Sequence, residues 1–156
     1  MAIQDAIRHE TASPAANDAP LRDHLGEVMA RAERLGQRVA VLHVHLGPVD
    51  PEAGDALPRQ VALRLTEALR TTDAVLPGGT DWLVVLLPGV ESVGAGAIVA
   101  RKILGLLAQP FEVHGRPARV EGRIGMALYP DHGFDPAALL RCARDRLSGP
   151  PGPAHL

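Results

Sequence analysis

At 156 residues the chain is the size of one ordinary domain, long enough to bury a core without staples, and its 16 basic and 18 acidic residues leave a net charge of −2. That balance argues against a polyanion-binding surface over the whole molecule and so disfavours generic DNA or RNA binding, while leaving room for a local arginine pocket. Aromatic content of 3% leaves the core to Leu, Val, Ile and Ala, and the single cysteine, Cys142, excludes an intramolecular disulfide framework.

No apolar run reaches the roughly 18 residues of a membrane span, and the opening M-A-I-Q-D-A-I-R-H-E lacks the basic-then-apolar layout of a signal peptide. The expectation is a soluble cytoplasmic protein with no membrane partner. Residues 1–19, rich in Ala, Asp, Asn and Pro, read as a mobile tail; residues 20–148 form one folded domain, and 149–156, G-P-P-G-P-A-H-L, form a second tail. From Leu21 the apolar set Leu21, Leu25, Val28, Met29, Ala32 and Leu35 has helical spacing, and Gly36 supplies the stop. Arg38 to Leu46 reads as a central strand, and 47–55 as a loop. A second helix follows on Leu57, Val61, Leu65, Ala68 and Leu69, with Asp55 as N-cap and Pro58 in its first turn, delivering Arg70 and Asp73 at its end.

Next comes a hairpin. A short apolar run leads into Gly78-Gly79, which predicts a turn built on positive φ, and then into the most hydrophobic strand, Leu83 to Leu87. A third helix on Val93, Ala97, Ala100, Ile103, Leu104 and Leu107 ends before Pro110. A short strand, a turn at Gly115 and a longer strand up to Tyr129 follow, and Asp135-Pro136 opens a last helix through Leu147. This order predicts an α+β fold, a central and mostly antiparallel sheet covered by helices.

The order and several strings resemble the GGDEF domain of bacterial diguanylate cyclases from about Leu21 to Leu147. They are A-E-R-L-G-Q-R-V-A-V-L, A-G-D-A-L-P-R-Q-V-A-L-R-L, V-V-L-L-P-G, A-R-K-I-L-G-L-L-A-Q-P-F-E-V-H-G and R-I-G-M-A-L-Y-P. The resemblance implies a nucleotidyl-cyclase-like fold in a cytoplasmic bacterial protein connected to the second messenger cyclic di-GMP. An active member would condense two GTP molecules, with acidic strand and turn residues holding metal ions. Here the two aspartate places of the family strand are His45 and Gly47, and of the following nucleotide-contacting segment only Gly54 and Asp55 match. The signature turn reads Gly78-Gly79-Thr80-Asp81-Trp82 by eye. Anchored without gaps on Arg70 to Asp73 and on Val84 to Pro88, it reads Gly79-Thr80-Asp81-Trp82-Leu83. Neither register leaves two adjacent carboxylates, so no cyclase activity is expected.

The family's product-binding inhibitory site has the pattern R-x-x-D five residues before the signature. Arg70-Thr71-Thr72-Asp73 matches it, with Arg101 on the following helix as the further arginine. An arginine fork can donate to the O6 and N7 edge of guanine, a carboxylate can accept from N1 and N2, and a second guanidinium can pair with phosphate. The first functional expectation is therefore a non-catalytic cyclic di-GMP receptor that signals through an unidentified protein partner or a ligand-linked homodimer, with no cofactor. The alternative is a nucleotide-independent interaction module. R-x-x-D is also an ordinary exposed ion pair, and its placement relative to the signature and Arg101 is what raises it above chance. A third reading, a metal-dependent enzyme on His43, His45 and Asp81, stands below satisfied histidines in a lost site. Trp82 fills the vacated pocket or projects as a partner anchor, filling being preferred; Cys142 reads as packing, and His24, His114 and His132 form no readable cluster.

Overall fold

The computed structural model describes residues 14–147 and is built around strand β1 (Val39–His45). Nearly every residue of β1 is buried because helices cover both faces of its sheet. Ala40, Leu42, Val44 and Leu46 join Leu57, Val61 and Leu65 of α2 (Ala56–Ala68) and Ile103 and Leu107 of α3 (Val93–Leu107) in one cluster. On the other face, Val39 and Val41 meet Leu21, Leu25, Met29 and Ala32 of α1 (Pro14–Leu35) and Leu139 and Ala143 of α4 (Pro136–Asp145). A strand with two covered faces needs apolar residues at every position, and this accounts for the run V-A-V-L in place of strict alternation.

The sheet order is β2-β3-β1-β6, with β2 (Ala74–Pro77), β3 (Trp82–Pro88) and β6 (Arg123–Tyr129), and each neighbouring pair is antiparallel. The expected α+β architecture with a mostly antiparallel sheet is observed. Register places His45 opposite Trp82 on one side and Arg123 on the other. Strands β4 (Phe111–Val113) and β5 (Arg116–Ala118) form a separate two-stranded ribbon. Its turn residues His114 and Gly115 both have positive φ, +53° and +77°, as a two-residue hairpin turn requires.

Several local expectations change. The first helix starts at Pro14, so residues 14–19, assigned to the tail, are helical; their alanines are strong helix formers. The assignments over 1–13 and 148–156 lie outside the described residues. Asp55 has φ −96° and ψ 6° and makes no side-chain cap; its carboxylate pairs instead with Arg59 at 2.8 Å, one turn on. The 47–55 loop contains a 3₁₀ turn, Pro51–Ala53. The long strand expected up to Tyr129 is two strands, Arg116–Ala118 and Arg123–Tyr129, and in the link between them Gly122 passes α3 so closely that a Cβ would stand 2.7 Å from Leu107 Cδ1. Asp135 does cap α4, its Oδ1 accepting from the Ala138 N–H at 2.9 Å with Pro136 behind it, and that helix ends at Asp145 rather than Leu147.

The hairpin turn is the largest correction. Neither Gly78 nor Gly79 adopts positive φ. They are glycines because the Trp82 indole lies against them: a Cβ on Gly78 would fall 2.4–2.5 Å from ring carbons Cε3, Cδ2 and Cζ3, and one on Gly79 2.6 Å from Nε1. Space, and not backbone conformation, selects glycine here.

Candidate functional site

Strand β3 carries the candidate residues at its two ends. Six residue steps at about 3.3 Å separate Trp82 from Pro88, about 20 Å in all.

At the Trp82 end, antiparallel pairing brings β1's outgoing end beside the hairpin turn. Leu46 N–H donates to Asp81 O at 2.7 Å, and this fixes Asp81 next to His45. Gly47 N–H donates to His45 Nδ1 at 3.2 Å, so Nδ1 is the accepting nitrogen and the ring proton belongs on Nε2. Nε2 lies 3.4 Å from Asp81 Oδ2. The alternation His43, His45 turns both rings to the α1 and α4 side, but only His45 meets Asp81. His43, 6% exposed, stacks on Trp82 with ring centroids 4.8 Å apart and planes 11° from parallel. Its pKa is lowered to about 4, first by burial and then by the neighbouring His45 and Arg144, with Asp81 opposing. His43 is thus a neutral packing partner at neutral pH. The Trp82 indole lies on His43 and against Gly78 and Gly79, and it stays partly exposed.

Of the three side chains in the metal reading, His43 stacks on Trp82 while His45 faces Asp81, and among the described residues no group of three or more His, Cys, Asp or Glu side chains is placed to hold a metal ion. The donor set at the turn also does not fit the metal ions that the family resemblance implies. One carboxylate facing an imidazole, with an indole beside it, offers no pair of anionic oxygen donors.

At the Pro88 end, Arg70 and Asp73 sit in the turn between α2 and β2. Asp73 accepts from the Arg70 backbone N–H at 2.9 Å and from the guanidinium at 2.7 Å through Nη2 and 3.1 Å through Nε. Nη2 also donates to Pro88 O at 2.8 Å. The Asp73 side chain is 3% exposed and the Arg70 side chain 54%. The pair is therefore a locked fork whose carboxylate is buried and whose arginine side chain is half exposed. The carboxylate hydrogen bond raises the Arg70 pKa further. Arg101 is exposed on α3, and among the described residues no hydrogen bond or ion pair joins it to Arg70 or Asp73; its neighbour Lys102 instead donates from Nζ to Ala68 O at 2.8 Å.

Sequence reading missed a cleft of about 410 Å³ on the α1 and α4 side, where Arg22, Arg141 and Arg144 converge on His43, His45, Asp81 and Trp82. Arg141 and Arg144, three apart on one helix, were the available local signal; Arg22 arrives from the other end of the chain. Cys142 is partly buried against the α1 and α4 cluster, as expected of a packing residue. His132 accepts from the Leu128 N–H at 2.8 Å and so has a structural partner.

Residues 51–149 match the family model described as diguanylate cyclase, GGDEF domain. The chain is 31% identical over 147 residues to the diguanylate cyclase TpbB of Pseudomonas aeruginosa, covering 86% of this chain and 33% of that protein. It is 30% identical over 138 residues to the bifunctional diguanylate cyclase/cyclic di-GMP phosphodiesterase MucR of the same species, covering 84% and 20%. It therefore spans a third or less of the length of these curated relatives. Among solved structures, the GGDEF domain of YfiN (TpbB) from P. aeruginosa superposes with a TM-score of 0.72 at 28% identity, covering 81% of this chain and 84% of that one. No helix among the described residues is long and apolar enough to cross a membrane.

Proposed function

This chain belongs to the GGDEF domain family, and from that premise we propose that it is a catalytically silent member that acts in cyclic di-GMP signalling by binding and contact. Two of its relatives are named as cyclases, so silence is a departure that needs a cause. The observation that carries it is the turn itself: Asp81 is the one carboxylate there, it faces His45 at 3.4 Å, and Trp82 packs where a second acidic donor would be needed. An indole has no anionic oxygen to offer a cation, so the phosphoryl-transfer step lacks its electrostatic support. GTP turnover with magnesium and with manganese tests this; any dinucleotide product overturns it.

In this reading cyclic di-GMP is bound in the cytoplasm at Arg70, Asp73 and Arg101, and occupancy alters contact with a protein partner or a second copy. The half-exposed side chain of an Arg70 held by Asp73 and the Pro88 carbonyl supports it, since a preorganised guanidinium loses little freedom on meeting a guanine edge or phosphate. Calorimetric titration with cyclic di-GMP is the test. Heat of binding that disappears in Arg70→Ala is expected, and a flat titration of folded protein rejects the receptor role. The inward, fully engaged Asp73 favours a second reading, a nucleotide-independent interaction module, because that carboxylate would have to leave Arg70 to reach a guanine. Retention of a partner without the dinucleotide would distinguish it.

A further inference from the structure

The arginine cleft lies at the opposite end of β3 from Arg70 and owes nothing to the site proposed above. Three features make it a site. First, Arg22 from α1 and Arg141 and Arg144 from α4 line one cavity of about 410 Å³, and among the described residues none of the three makes an ion pair or hydrogen bond to a carboxylate. Among the described residues the cleft's only acid is Asp81, which already faces His45, so these residues give the cavity an excess of positive charge. Second, that field is felt inside the protein: Arg144 is one of the causes that push the buried His43 toward its neutral form. Third, the remaining wall is apolar, supplied by Ala137, Leu140 and Leu147.

These features define a ligand with a compact multiply charged oxyanion attached to a small apolar body. They also exclude nucleobase stacking as the mode of recognition, because Trp82 has His43 stacked on its ring and the Gly78-Gly79 turn packed against it. We infer that this cleft binds a small phosphate monoester, its phosphate held by the guanidiniums of Arg22, Arg141 and Arg144 and its organic group lying on Ala137, Leu140 and Leu147. Guanidinium forks match the geometry of phosphate oxygens, and bidentate charge-assisted bonds are the strong class.

Titrations of the full chain with inorganic phosphate and with phenyl phosphate at low ionic strength test this, read by calorimetry and by the emission of Trp82, the only tryptophan. Phenyl phosphate is expected to bind more tightly than phosphate, with affinity falling as salt rises. The double variant Arg141→Gln/Arg144→Gln, at two exposed positions where folding can be checked by circular dichroism, should weaken binding by roughly tenfold or more. Arg70→Ala should leave it unchanged, so failure here and failure of the cyclic di-GMP site are separable. The inference is overturned by absence of binding to the folded protein. It is equally overturned by affinity undiminished in the double variant, by an equal loss in Arg31→Gln on the exposed part of α1, or by tighter binding of guanosine monophosphate than of phenyl phosphate.

Discussion

If space against Trp82 is what selects glycine at the hairpin turn, then Gly78→Ala should be costly only while the indole is present. The new methyl would start 2.4–2.5 Å from three ring carbons. Ordinary contact begins near 3.4 Å, so the ring would have to retreat by about 1 Å. It cannot do so and keep its stack on His43, a contact worth about 0.5–1.5 kcal/mol. Together with the displaced packing, the expected destabilisation is about 1–3 kcal/mol, the usual range for overfilling. In a Trp82→Ala background the obstacle is gone. Because Gly78 has no positive φ, alanine there should then be neutral or stabilising by about 0.4–1 kcal/mol through reduced freedom of the unfolded chain. The double-mutant cycle should thus report a coupling of about 2 kcal/mol. Urea unfolding followed by far-ultraviolet circular dichroism measures all four corners without using the tryptophan signal. Equal cost of Gly78→Ala in both backgrounds would refute the reasoning and return the turn to a backbone explanation.

Three further outcomes follow from named contacts. His43 has a folded pKa lowered to about 4 from 6.5. The unfolded chain therefore takes up a proton between those values that the native protein refuses: stability should fall as pH drops from about 6.5 to about 4, by at most about 3 kcal/mol, and His43→Phe should remove that part of the slope in urea midpoints compared at the two ends. Arg64 donates to the carbonyls of Leu106, Gln109 and Pro110, at 2.9, 2.7 and 2.9 Å, and its guanidinium lies 3.5 Å above the Phe111 ring. Arg64→Ala should cost about 2–3 kcal/mol in unfolding free energy and loosen the α3–β4 junction in amide exchange. Arg70→Ala leaves the buried Asp73 carboxylate with a single backbone donor, so the melting temperature should drop, corresponding to about 1 kcal/mol after allowance for the exposed guanidinium; Arg70→Lys should recover less than half, because an ammonium cannot reproduce the fork to Asp73 and Pro88.

Local signals were legible and meetings between distant residues were not. Helix periods on Leu21 to Leu35 and Val93 to Leu107, the Asp135-Pro136 start and the alternation that sets His43 and His45 on one face all depend on neighbours within a few residues, and the structure has each of them. Gly78-Gly79 announced a turn, but the reason for glycine lay in how Trp82 folds back, which no spacing rule contains. The division of 111–129 between two sheets, with Gly122 of the link passing close to Leu107 of α3, had no local signal either. The stack of His43 on Trp82, nearly forty residues apart in sequence, and the gathering of Arg22 with Arg141 and Arg144 required the sheet register and helix layers to be known first.

The two borders of the sheet differ in what they offer another chain. On one side β2 has four residues and ends in Pro77, which has no N–H. Only alternate residues of a border strand turn their amides outward, so this margin holds too few donors to template a ladder. On the other side β6 runs for seven residues, Arg123 to Tyr129, and among the described residues pairs only with β1. Unwanted sheet growth, of the kind that seeds aggregates, is thus blunted at the β2 margin by length and proline, while at the β6 margin α4 packs against the strand.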